Sequence, residues 1–227
     1  MPVFGKGRKH GRIVLGKRRG NREPKQLLGK QVARSLSGFR AFVPRQKWNI
    51  EHTSFGSIKE FYFTPLFGEN GFISRRYMEK KRPLVVLDWG CGAGDAISGL
   101  ASEYRRKVRA YGFAKDIHEN WAKIKNVKLI GQTKEGLLRM LKDNSVDLIY
   151  STLGLGYLFR EMGEEVTIEE GTDYVAKLFE KVAPGGKLVF ECDPDLVGSI
   201  KDSICASLKG KAVVVRKGID QIDITKN

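Results

Sequence analysis

Cysteine is scarce in this chain of 227 residues. Its three cysteines, Cys91, Cys192 and Cys205, are odd in number and show no CxxC spacing. That excludes a disulfide framework and reads as reduced, intracellular thiols. Histidine is equally rare: His10, His52 and His118 lie far apart and near no cysteine, so no pattern of metal ligands forms and no metal is expected. No apolar run approaches the roughly 20 residues that a membrane span needs, and the first residues lack the apolar core of a secretory signal. A cytoplasmic protein without a membrane partner is the expectation. The first fifty residues also lack acid. Glu23 stands alone there against fourteen Lys and Arg, a net +13 of the chain's +15.

What is present divides into three zones. Residues 1–23 are basic and punctuated by Gly5, Gly7, Gly11, Gly16 and Gly20, with too few apolar groups to offset the entropy of ordering them. From Pro24 to Leu36, Leu28, Val32 and Leu36 recur every four residues among Lys and Arg, which predicts a short basic amphipathic helix. Residues 1–36 are therefore expected to be a basic, largely disordered extension. The second zone holds ten of the 22 aromatic residues between Phe39 and Tyr77. Each ring buries roughly 150–250 Å² when packed, so residues 37–83 are expected to be a cap segment folded onto the third zone.

That third zone, residues 84–227, alternates strand-like and helix-like segments. Strand patterns lie at Leu84–Asp88, Val108–Phe113, Val127–Ile130, Val146–Tyr150 and Lys187–Cys192. Helical faces lie at Ile97, Leu100, Ala101 and Tyr104, at Leu137–Leu141, at Tyr174, Val175, Leu178, Phe179 and Val182, and at Leu196, Ile200, Ile204 and Leu208. Such alternation predicts an α/β, doubly wound, mostly parallel sheet. Ala212–Arg216 and Ile219–Thr225 are too close in sequence for a helical crossover, so they must pair as an antiparallel hairpin.

The chemistry concentrates in Val86-Leu87-Asp88-Trp89-Gly90-Cys91-Gly92-Ala93-Gly94-Asp95. A strand ends in an acid, and three glycines at alternate positions lead into a helix, where a ligand can approach the backbone without meeting a Cβ. A dinucleotide wants G-x-G-x-x-G, with its pyrophosphate on free helix amides. Here the third glycine comes one residue early, and Asp88 and Asp95 would both repel a pyrophosphate. The same two acids suit a ligand bearing an ammonium and a sulfonium.

Asp88-Trp89-Gly90-Cys91-Gly92-Ala93-Gly94 resembles the first motif of class I, Rossmann-like S-adenosylmethionine-dependent methyltransferases. Val182-Ala183-Pro184-Gly185-Gly186-Lys187-Leu188-Val189 resembles that family's turn before the fifth strand, and the terminal hairpin matches its reversed last strand. The resemblance covers residues 84–227. It implies a seven-stranded sheet with S-adenosyl-L-methionine across the carboxyl ends of the strands. Asp88, Gly90, Gly92 and Gly94 would surround the methionine part of the cofactor. The family's second motif supplies an acid for the ribose, but Phe113 and Ala114 stand there and the nearest acid is Asp116. Gln132 matches the third motif, which serves the adenine amino group. The fourth falls at Asp147-Leu148-Ile149-Tyr150-Ser151-Thr152-Leu153-Gly154 and is neither Asn/Asp-Pro-Pro-Tyr nor a Pro-Cys nucleophile, which narrows the acceptor by exclusion only.

Methyl transfer from a sulfonium is an in-line displacement on an activated donor, so alignment and water exclusion carry most of the work. Ser151, which would also adjoin the cofactor, Thr152, Glu191 and Asp193 close the fourth and fifth strands and are candidates to face the acceptor. Each has an ordinary alternative as a turn or cap residue. The acidic run from Glu161 to Asp173 reads as a solvated loop leading into a helix or as a holder of the basic tail. The tail fits an RNA partner, since Lys and Arg with interspersed glycine follow a phosphate backbone without a fixed fold. An organelle transit peptide, though residues 1–34 contain no serine, and a solvated tail remain open. The leading expectation is methyl transfer to RNA, ribosomal RNA among the candidates. Its rivals are a small-molecule or protein acceptor, and a non-catalytic RNA-binding or assembly module.

Overall fold

The structure, a computed structural model, describes residues 53–152, 154–159 and 168–227. The basic extension 1–36, the aromatic residues before position 53 and the acids Glu161, Glu164 and Glu165 lie outside the described residues. Seven strands form one sheet: β1 (Leu84–Trp89), β2 (Val108–Ala114), β3 (Lys128–Gly131), β4 (Val146–Ser151), β5 (Val182–Glu191), β6 (Ala212–Lys217) and β7 (Gln221–Lys226). Their order is β3-β2-β1-β4-β5-β7-β6. The pairs among β1 to β5 are parallel, and β7 runs antiparallel to both β5 and β6. The expected doubly wound sheet with a terminal hairpin is what forms.

The central strands are largely buried on both faces, Leu84, Val86 and Leu87 in β1 and Leu148, Ile149 and Tyr150 in β4, with Val85 half-buried, as parallel strands covered by helices must be. On one face Leu87, Ile149, Leu188, Phe190, Ile222 and Ile224 pack against Val175, Leu178 and Phe179 of α4 (Ile168–Glu180) and Ile200 and Ile204 of α5 (Val197–Ser207). Thr133 opens α3 (Lys134–Met140) by accepting from the Gly136 amide, a side-chain cap on an orphan donor.

The other face is closed by α1 (Phe72–Lys80), α2 (Asp95–Tyr104) and the described aromatic zone. A short helical segment at Phe55–Ser57 runs into a π-turn at Ile58–Tyr62 and a 3₁₀ turn at Thr64–Leu66. Phe63 and Phe67 meet the Tyr150 ring edge-on, with centroids 5.9 and 5.8 Å away. Phe55 contacts Phe67 at 5.1 Å and Tyr104 at 6.3 Å. Gly99 makes that approach possible, because a Cβ there would stand 2.6 Å from the Phe55 Cβ.

Two local readings change. The fifth strand begins at Val182, not Lys187, and carries its Pro-Gly-Gly segment as a bulge: Val146 pairs with Val182 but Leu148 already pairs with Lys187. Val182 thus belongs to the strand rather than to the preceding helical face. The bulge survives because Gly185 takes φ +69° and the buried Arg76 guanidinium donates to the Pro184 carbonyl. Between β2 and β3 the crossover contains a 3₁₀ turn, Glu119–Lys123, a stretch in which the sequence shows no helical face. Asp147, fully buried at the start of β4, takes a two-pronged contact from Arg82 at 2.9 and 3.1 Å and the Val85 amide at 2.9 Å. It ties the chain entering β1 to β4.

Phe63 is 0% exposed, so Phe63→Ala should cost about 3–5 kcal/mol of stability. The change should appear as a lower urea midpoint at an unchanged slope. Met78→Ala, at a residue 71% exposed, should stay within about 0.5 kcal/mol of the parent.

Candidate functional site

The strand order reverses between β1 and β4, and the crevice outside the carboxyl ends of the strands opens at such a switch point. The glycine loop lies there. Gly90, Gly92 and Gly94 take φ values of +85°, +50° and +86°, which glycine adopts at little cost and other residues resist. The loop folds back on β2: the Gly90 and Cys91 amides both donate to the Phe113 carbonyl, at 2.8 and 2.9 Å. Those two amides are taken up internally and are not offered to a phosphate. Gly90 faces Gly154, where a Cβ on Gly90 would come within 3.0 Å of the Gly154 Cα. Glycine is therefore needed on both sides of the contact that joins the loop to the segment after β4.

Beneath the loop lies Asp88, 2% exposed. The Tyr150 hydroxyl donates to its carboxyl at 3.1 Å. Burial raises the carboxyl's proton affinity, only partly offset by that hydrogen bond, and pushes its pKa up to about 7. Trp89 points to the opposite face, where its indole N–H donates to the Tyr174 hydroxyl at 3.1 Å. Cys91 is buried, and desolvation pushes its thiol pKa well up. Cys192 is likewise pushed up to about 12 by burial. Both read as inert packing thiols.

The remaining candidates separate. Asp116 and Gln132 are exposed and follow β2 and β3 at the crevice rim. The Gln132 side-chain oxygen accepts from the Thr133 amide at 3.1 Å. Ser151 is 0% exposed, and its hydroxyl accepts from the Leu155 amide at 2.9 Å. It holds the turn into the 3₁₀ segment Leu155–Phe159 and lies beside the glycine loop, 4.0 Å from where a Cβ on Gly90 would stand. Asp193 accepts from the Asp195 amide at 2.8 Å and supports the turn into α5. Thr152 is half-buried. Glu191, 5% exposed at the end of β5, has no side-chain hydrogen bond among the described residues. Burial first, and the Asp220 carboxyl second, push its pKa well above the usual carboxylate range. Tyr62, carried on the π-turn, lies within electrostatic reach of it.

Trp121 escaped the sequence reading. Its indole N–H donates to the Gly92 carbonyl at 2.9 Å, so the 3₁₀ turn after β2 leans on the glycine loop. A tryptophan within the otherwise polar stretch His118–Lys123 was the available signal. Gly154 and Tyr150 were also missed as partners of the loop, because nothing local marks a contact across strands.

No family model matches the chain, and no curated protein matches it. Among solved structures it is similar to a SAM-dependent methyltransferase from Aquifex aeolicus, at 18% identity over 76% of this chain and 95% of that one, TM-score 0.42. It is similar to the antibiotic-resistance methyltransferase Kmr, at 13% identity over 67% and 92%, TM-score 0.49. A third is the 1,6-didemethyltoxoflavin-N1-methyltransferase of Burkholderia thailandensis, at 13% identity over 92% and 91%, TM-score 0.45. The strand order with its reversed β7, read directly from this chain, is that of the class I Rossmann-like methyltransferase fold.

Asp88 gives a pH signature. Folded, it keeps its proton to about pH 7; unfolded, it loses it near the ordinary value of 3.8. Below pH 4 both states are protonated and the contribution to stability is fully present. Between pH 4 and 7 the unfolded carboxyl ionises alone, and stability falls by an amount on the order of 4 kcal/mol. Asp88→Asn, which can still accept from Tyr150, should flatten that fall. Urea midpoints at pH 4.5 and 7.5 for both proteins measure it, and parallel pH profiles would exclude this assignment of the titrating group.

Proposed function

We propose that the chain is an S-adenosyl-L-methionine-dependent methyltransferase that acts on RNA, held through its basic N-terminal segment. The observation that carries the cofactor reading is the glycine loop. Three left-handed glycines stand at the switch point, with two amides folded onto Phe113 and an acid, Asp95, opening the following helix. A pyrophosphate would meet negative charge there, whereas an amino acid bearing an ammonium and a sulfonium is complementary to it. The residues present fit the group: Gly90, Gly92 and Gly94 leave backbone room, with Asp95 and Asp116 exposed nearby. The bound cofactor would supply a methyl group already activated by the positive sulfur.

The chain's own task is then alignment and exclusion of water. Asp88 supports this reading as the buried post under the loop rather than as a surface contact. In our reading Trp121 props the loop from the β2 side and Gln132 lies at the adenine end. Thr152 and Glu191 are the acceptor-side candidates. Glu191, held neutral by burial, serves as a hydrogen-bond donor to an acceptor atom and takes up a proton only once ionised. Ser151 and Asp193 act through the turns they hold. The RNA reading rests on the charge of residues 1–50.

Gly92→Val should abolish S-adenosylmethionine binding in calorimetry while leaving the far-UV spectrum of the fold intact, because a β-branched residue resists φ near +50°. Unchanged affinity, or binding of NADH by the parent, sinks the cofactor reading. Radiolabelled methyl transfer into separated RNA, protein and small-molecule pools decides the acceptor. If about five tail cations engage single-stranded phosphates, RNA affinity should fall roughly a hundredfold between 50 and 200 mM salt, and removing residues 1–36 should erase most of that slope.

A further inference from the structure

The folded part of the chain concentrates cations at two strand entries. At the carboxyl edge, where the glycine loop lies, exposed acids (Asp95, Asp116, Glu119, Glu135 and Asp195) are interspersed with exposed Lys115, Lys123 and Lys134. At the amino edge the entries to β4 and β5 are likewise mixed, with Asp143 and Glu180 exposed, but the entries to β1 and β2 are not. β1 and β2 start in register, Leu84 beside Val108, so the residues that lead into them are neighbours. These are Lys80-Lys81-Arg82 and Arg105-Arg106-Lys107, all exposed. Among the described residues, Arg82 alone of the six has a carboxylate partner, the buried Asp147.

Cations at helix ends have an ordinary use, since they complement the negative end of the helix dipole. That use accounts for one or two charges within the last turn, not for six on adjoining strand entries. Lys81 closes α1 with φ +51°, and Arg105 closes α2 with φ +43°. Glycine is the favoured residue where a helix ends with positive φ. A cation stands at both positions against that preference, beside a cluster that like-charge repulsion already disfavours.

We propose that this amino-edge cluster binds the phosphodiester backbone of RNA, as a second docking surface on the opposite side of the sheet from the glycine loop. Guanidinium groups offer two parallel donors to a phosphate; Arg105 and Arg106 supply them here, since both terminal nitrogens of Arg82 already donate to Asp147. The inference rests on the RNA reading of the function and gives it a geometry. Strands of about six residues at about 3.3 Å each separate the two edges by roughly 20 Å. A substrate anchored on the cluster must therefore extend around the sheet to reach the crevice, which selects a large or folded RNA over a short oligonucleotide.

The test uses the full chain carrying Lys80→Glu, Arg106→Glu and Lys107→Glu together, all exposed and none of them part of the crevice. Filter binding to structured RNA at several salt concentrations should lose about 2–3 from the log–log slope, and at least about a hundredfold in affinity at about 0.1 M salt, at about 0.7–0.9 per phosphate contact. Calorimetry with S-adenosylmethionine should give the parent's affinity, which shows that the variant is folded. An unchanged slope and RNA affinity in that folded variant overturns the proposal. So does a parent that binds anionic lipid vesicles through the same three residues but binds RNA as the variant does. If the parent binds RNA through the cluster but does not bind S-adenosylmethionine, the cofactor reading fails and the docking surface stands.

Discussion

Tyr150 reaches from β4 to the Asp88 carboxyl on β1, and its ring is the floor on which Phe63 and Phe67 rest. The two groups lie 62 residues apart in sequence, yet their bond joins the strands on either side of the switch point. Burial keeps water from Asp88, so its one side-chain donor among the described residues matters more than it would at a surface. The glycine loop leans on that pair. Asp88 is two residues before Gly90, and the Gly90 and Cys91 amides close onto β2. Breaking the floor would loosen β1, β4, the aromatic segment and the ligand loop together.

Much of this was legible because its signals are local. The glycine loop, the helical faces of α2, α4 and α5 and the closing hairpin each declare themselves within a dozen residues. The mostly parallel sheet followed from the strand–helix alternation, and the hairpin from the shortness of the last connection. What stayed hidden depends on partners far along the chain. The β5 bulge needs Arg76, more than a hundred residues upstream, to hold the Pro184 carbonyl. The Leu155 amide on the Ser151 hydroxyl and the Tyr150 hydroxyl on the Asp88 carboxyl are contacts that neither residue's place in the sequence announces. Trp121 was passed over because one ring in a polar stretch carries no periodicity.

The mixed charge around the crevice and the cationic entries to β1 and β2 bear on how a substrate would be chosen. A rim on which acids and lysines alternate exerts little net pull on a polyanion and holds one only where other contacts do. Recognition of a polyanion would then be divided: attraction at a distance and selection at the site. Such a division makes the site indifferent to most of the polymer and sensitive to the one nucleotide that is presented to it.

The aromatic segment also has a consequence for how the chain is made. Phe63 leaves the ribosome 87 residues before Tyr150, its docking partner. At about 5–20 residues per second, Phe55, Phe63 and Phe67 wait on the order of 4–17 s before β4 exists. During that interval α1, α2 and the first three strands are made, but the Tyr150 ring that Phe63 and Phe67 rest on is not. Such a nascent stretch is a natural client for a holding chaperone, and its final docking is a late, non-local event of the kind that slows folding.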